Sequence, residues 1–122
     1  MDQSLELILS KLEINLSYQK NFTDVSIEIA DAAGCEEWIA IYRKLVHWEL
    51  LIDKTNEKDM AEILKSQKAE ANQRFANFIQ SVYKGWINSH QNPLLSHQVL
   101  KEKVFPALAQ SSVFLIVIDN LR

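Results

Sequence analysis

Glu36-Glu37-Trp38-Ile39-Ala40-Ile41-Tyr42-Arg43-Lys44-Leu45-Val46-His47-Trp48-Glu49-Leu50-Leu51-Ile52-Asp53-Lys54 decides the fold. Trp38, Ile41, Leu45, Trp48 and Ile52 recur at steps of three, four, three and four. That spacing puts all five on one side of an α-helix, as a heptad seam does. Ile39, Tyr42, Val46 and Leu50 widen the apolar face to the breadth a bundle helix needs. Glu36 and Glu37 stand where the helix macrodipole is positive and Lys54 where it is negative, so the charges agree with the direction of the helix.

Before this segment, Leu5, Ile8 and Leu12, then Phe22, Val25, Ile29 and Ala32, continue the same spacings and predict a first helix from about Ser4 to Ala33. A more polar stretch from Asn15 to Asn21 leaves room for a break. Gly34 suits the C′ position of that helix, where a left-handed residue costs glycine little. After the seam, Thr55 to Lys58 turns the chain, and Asn56 followed by Asp59 reads as a cap for the next helix. That third helix is expected from Asp59 to about Ser89, with Met60, Leu64, Ala71, Phe75, Phe78, Val82 and Trp86 as its stripe. Gly85, inside the pattern, reads as a close packing contact. His90 to Pro93 is a linker, Ser96 a plausible N-cap, and a shorter helix to about Ala109 carries Pro106 in or near its last turn. Val113-Phe114-Leu115-Ile116-Val117-Ile118 reads as a doubly buried strand. Asp119 and Asn120 follow it, where open α/β sheets place ligands.

The expected fold is therefore all-α: an up-down-up three-helix bundle with long helices, residues 1–92, followed by one short helix and a single strand. Residues 93–122 read as the start of an α/β domain. One strand cannot satisfy its own backbone groups, so the chain reads as part of a longer protein. Three outcomes are open to the strand: pairing with a second copy, which satisfies the backbone best, adhesion to the overhang of the third helix, or loss of order. At ~1.5 Å per residue the second helix is shorter than its neighbours. In an up-down-up arrangement the first and third helices then overhang at opposite ends. Leu5, Leu7, Ile8 and Leu9 mark one overhang, and Ile79, Val82, Tyr83, Trp86 and Ile87 the other. Apolar overhangs of this kind usually mark interfaces, and the overhang of the third helix has the alternative of packing on residues 94–122.

Composition removes several functions. The 122 residues carry 13 basic and 16 acidic side chains, a formal charge of −3, which is no footprint for nucleic acid. The longest apolar run is too short to cross a bilayer. A lone cysteine, Cys35, fits a reducing compartment, and the acidic Met1-Asp2-Gln3-Ser4 is unlike a secretory signal, so a cytoplasmic location is expected. Candidate chemistry is thin. Asp119 could supply one ligand to a hard cation or zinc, or cap a turn, and a zinc site wants about four. His47 could take a phosphoryl group, as in a phosphotransfer bundle, but Trp48-Glu49-Leu50-Leu51 lacks the lysine and small residue expected after such a histidine. His90 and His97 have no cysteine or carboxylate at ligand spacing. Cys35 at a helix start could be a reactive thiol or a turn residue. No glycine-rich phosphate loop or nucleophile elbow is present.

Four stretches carry a resemblance: Trp38 to Leu50; Gln67-Lys68-Ala69-Glu70-Ala71-Asn72-Gln73-Arg74-Phe75-Ala76-Asn77-Phe78-Ile79; Leu95-Ser96-His97 with Lys101-Glu102-Lys103-Val104-Phe105-Pro106; and Val117-Ile118-Asp119-Asn120-Leu121-Arg122. Together they resemble the PorX family, response regulators with a C-terminal PglZ domain linked to type IX protein secretion. The resemblance implies a receiver domain, a middle three-helix bundle, and an alkaline-phosphatase-like domain that binds zinc and cleaves phosphodiester-type substrates. This chain would hold the bundle and the first helix and strand of the phosphatase domain. Asp119 would match that domain's first metal-ligand aspartate in the intact parent, with the nucleophile and the other zinc ligands downstream. The chain itself would be no enzyme and hold no cofactor. Its partners would be the receiver and PglZ domains of the same parent, and it would act as a helical linker coupling the two.

Overall fold

The computed structural model describes residues 2–89 and 93–119. Three long helices, α1 (Asp2–Asp31), α2 (Cys35–Thr55) and α3 (Lys58–Asn88), precede a run of short helical turns: a 3-10 turn at Ser96–Gln98, a π turn at Leu100–Val104, and α4 (Phe105–Leu108). The chain divides between Ser81 and Val82 into two compact units, so α3 contributes to both.

In the first unit the helices alternate in direction. Tyr18 and Phe22 of α1 meet Trp48 of α2, whereas Glu28, further along α1, pairs with the earlier residue Lys44. Trp38 of α2 meets Phe75 and Phe78 of α3, and Glu49 pairs with the earlier Lys68. This is the expected up-down-up bundle. Its core holds Tyr18, Phe22, Val25 and Ile29 from α1, Trp38, Ile41, Leu45 and Ile52 from α2, and Leu64 and Ala71 from α3. Ala32, Trp48, Met60 and Phe78 close its edges. Ile29 is the most enclosed large side chain, at 1% exposure.

Several local expectations are corrected. α1 runs unbroken through Asn15 to Asn21, because Tyr18 sits on the core side of that polar stretch and is buried. Gly34 is not a left-handed C′ residue. It is the extended N-cap of α2, at φ −128° and ψ 163°. The turn is closed instead by Glu37, whose Oε2 accepts from the backbone N–H of Ala33 at 2.6 Å and of Gly34 at 3.1 Å. Asn56 does not cap α3. It ends α2 in the left-handed region at φ 56°, and its N–H donates to the Ile52 carbonyl at 2.9 Å. Asparagine tolerates that conformation better than most residues do. The wider apolar face of α2 is off the core: Ile39, Tyr42 and Leu50 are exposed and Val46 is half-buried. Gly85 touches nothing within 4 Å of where a Cβ would stand, so it marks no close contact.

In the second unit Leu95, not Ser96, is the N-cap, and its N–H donates to Gln98 Oε1 at 3.0 Å. Pro106 explains the π turn. Proline has no N–H, and its ring would clash with the carbonyl four residues back in a regular α-helix. A wider turn at 100–104, closed by the Phe105 N–H on the Leu100 carbonyl, opens that space and lets the helix continue through Pro106. Among the described residues beyond Ser111 no regular structure forms. Among the described residues there is no strand, and Phe114, Ile116 and Val117 are exposed. The expected strand at 113–118 is therefore not formed. A strand exists only against a partner ladder, and these residues have none.

Candidate functional site

Among the described residues neither unit gathers its chemistry-bearing side chains into a cluster. Asp119 follows the extended apolar segment and is exposed. His47 is exposed on α2 with its ring edge-on to Trp48, centroids 5.7 Å apart. His97 is exposed in the 3-10 turn, and His90 lies outside the described residues. Cys35 is half-buried as the first residue of α2. Among the described residues no group of three His, Cys, Asp or Glu side chains could hold a metal ion, and no helix is long and apolar enough to cross a membrane.

What the structure builds is a set of interhelical links and one long unpartnered face. α1 and α2 are joined by Glu28 with Lys44, and α2 and α3 by Glu49 with Lys68 at 2.5 Å. Both pairs are well exposed, and such pairs stabilise by about 0–1 kcal/mol. α1 and α3 are joined through the core. Gln67, 6% exposed, donates from Nε2 to the Phe22 carbonyl at 2.6 Å and to Ser26 Oγ at 2.7 Å. Its Oε1 has no donor, and neither does the buried Nε1–H of Trp38 have an acceptor. A buried polar group left in that state costs about 1–3 kcal/mol. Periodicity could have flagged Gln67, because the step from Leu64 to Ala71 passes through position 67 at three plus four.

The unpartnered face belongs to α1. Every residue from Asp2 to Ser17 is exposed. At ~1.5 Å per residue this is ~24 Å of helix standing clear of the bundle. Leu5, Leu9, Leu12 and Leu16 step four, three and four, and each is at least half exposed. At 3.6 residues per turn their line lies roughly 140° around the helix from that of Tyr18, Phe22, Val25 and Ile29. Leu7 and Ile14 continue the core line and are also exposed. A helix with apolar residues all round is built to be enclosed. The single helix α1 thus carries two apolar faces, one packed in its own bundle and one exposed. The overhang of α1 agrees with the expectation from helix lengths.

Electrostatics single out Glu37. Its bonds from the Ala33 and Gly34 N–H groups, in that order, hold its carboxyl below the usual range, against a smaller opposing effect of burial. The two ion pairs and Gln67 tie the three helices to one another.

No protein of known, curated function matches the chain. Residues 8–87, which take in the unpartnered turns of α1 from Ile8 onward and all but the last residue of α3, match the family described as PorX response regulator linker domain. Since that match covers most of the chain and coincides with the bundle, the protein belongs to the PorX response regulator linker domain family.

Proposed function

We propose that the chain couples a receiver domain, on the side of the α1 overhang, to a zinc-dependent phosphatase-like effector on the side of residues 93–122, in regulation of type IX secretion. The observation that carries this is the two-faced α1. A linker that had only to space two domains would not need a leucine line turned away from its own core. An upstream receiver packing on Leu5, Leu9, Leu12 and Leu16 would share one unbroken helix with the bundle. Any shift of the receiver on phosphorylation would then move α1 as a rod, and packed helices answer such shifts discretely. Asp119 is proposed as a metal ligand of the effector in the intact parent, where the remaining ligands would come from elsewhere. Within these residues it is at most one ligand. Residues 113–118 are proposed as a strand that forms only against the effector's sheet. In an isolated chain the same apolar segment, or the α1 overhang, would be a point of self-association.

The test uses the response regulator that carries this linker. Replacing Glu13 and Ile14 by glycine softens α1 inside the leucine line, before the first core residue Tyr18, without touching a buried residue. Phosphodiester hydrolysis is then measured with and without beryllofluoride, a mimic of the phosphorylated receiver. The expected result is basal activity retained and its response to beryllofluoride lost. An undiminished response in the glycine variant would overturn the rod reading.

A further inference from the structure

We infer that Gln67 is a register lock: its amide, held by the Phe22 carbonyl and the Ser26 hydroxyl, selects one axial position of α3 on α1. Among the described residues Gln67 is the one buried side chain that is neither hydrophobic nor aromatic. Its place in the seam, between Leu64 and Ala71, is one an aliphatic residue would fill without leaving an orphaned oxygen. A polar group in such a position is best attested as a device for register, kept at some expense of stability.

The geometry explains the selection. Nε2 carries two N–H groups, and both are used, one on a carbonyl and one on a hydroxyl four residues further along α1. A slip of α1 by one turn would present residues 18 and 22, or 26 and 30, in place of 22 and 26. Phe22 or Ala30 would then stand where the hydroxyl has to be. Either slip strands a second buried polar group. The apolar contacts discriminate less, since the α1 line of Tyr18, Phe22, Val25 and Ile29 offers apolar side chains at every turn. The two ion pairs are exposed, on long side chains that can follow a slip. The lock stands on the bundle alone. Its use in carrying a displacement from α1 to α3 without slippage rests on the coupling reading above.

The experiment places spin labels at Lys20→Cys and Asn77→Cys, both exposed and well separated along the bundle, in a Cys35→Ser background. Distances are read by double electron–electron resonance, and stability by urea unfolding. The unaltered core should give a single distance. Gln67→Leu should give a second population displaced by about 5 Å, one helical turn, at an unfolding midpoint no lower than that of the parent. Ser26→Ala, which leaves the core volume intact, should give the same second distance at smaller population. It decides the matter if Gln67→Leu fails to fold. One unchanged narrow distance in both variants, or a single distance with a lowered midpoint in Gln67→Leu, would overturn the lock. Neither result depends on a receiver or an effector, so failure here is separate from failure of the coupling reading.

Discussion

Replacing Trp38 by alanine and by phenylalanine should give two very different answers. Trp38 is 6% exposed, with ring centroids 5.5 Å from Phe75 and 6.2 Å from Phe78. Alanine removes the whole indole from this aromatic cluster and leaves a cavity, which for a buried tryptophan costs about 3–5 kcal/mol. Phenylalanine keeps most of the ring packing and loses part of the volume, at about 1–2 kcal/mol. It also removes the buried Nε1–H that has no acceptor, a relief of about 1–3 kcal/mol. The two nearly cancel, so Trp38→Phe should lie within about 1 kcal/mol of the parent; alanine gains the same relief but leaves the larger cavity, so Trp38→Ala should lie about 2–3 kcal/mol below Trp38→Phe. Urea unfolding followed by circular dichroism at 222 nm, with equal slopes for the three proteins, measures the difference. If phenylalanine destabilises by about 2 kcal/mol or more, the indole N–H has a partner and the reasoning fails. A loss under 1 kcal/mol for alanine would instead remove Trp38 from the core.

Trp48 is half-buried at the edge of the core, its ring 5.3 Å from Tyr18, so Trp48→Ala should cost about 2–3 kcal/mol, below the usual loss for an enclosed tryptophan; a chemical melt indistinguishable from the parent's counts against its packing. Glu37 has its folded pKa held down, so its contribution is present above the unfolded value near 4.5 and is lost as pH falls through the folded value. Between pH 7 and pH 3 the parent should therefore lose more stability than Glu37→Gln does, and equal losses would remove the two N–H bonds as the cause. Gly85 stands in a helix with open space around it, so Gly85→Ala should stabilise by about 0.5–1 kcal/mol, read as a raised melting temperature, and a fall would expose a contact the structure does not hold.

The bundle was legible because three- and four-residue steps are dictated by helix geometry. The seam from Trp38 to Ile52 gave α2 to within a residue at each end, and the helix lengths gave the α1 overhang. What escaped was decided by single polar groups. At the α1–α2 corner Glu37 reaches back to two N–H groups and Gly34 stays extended, while at the α2–α3 corner Asn56 takes the left-handed conformation. Tyr18 was hidden by its polar neighbours, and Gln67 by being polar itself. The apolar run at 113–118 reads as a strand in isolation, yet pairing is a property of two segments, and the second is not among the described residues. The candidate chemistry was the least legible part, since among the described residues no three His, Cys, Asp or Glu side chains could hold a metal ion, and His47, His97 and Asp119 are each exposed.

The unbroken passage of α1 from its leucine line into the bundle makes the helix sensitive to phase. One residue inserted near Ser17 would advance the leucine line by ~1.5 Å and swing it by ~100° about the axis, enough to aim it at the wrong neighbour. Seven inserted residues would return it to within ~20° of its original bearing, at ~10 Å further out. Length changes at this junction should therefore be tolerated in sevens and refused in ones and twos, however harmless the added residues are in themselves. A helix with two apolar faces is gauged in angle as well as in length.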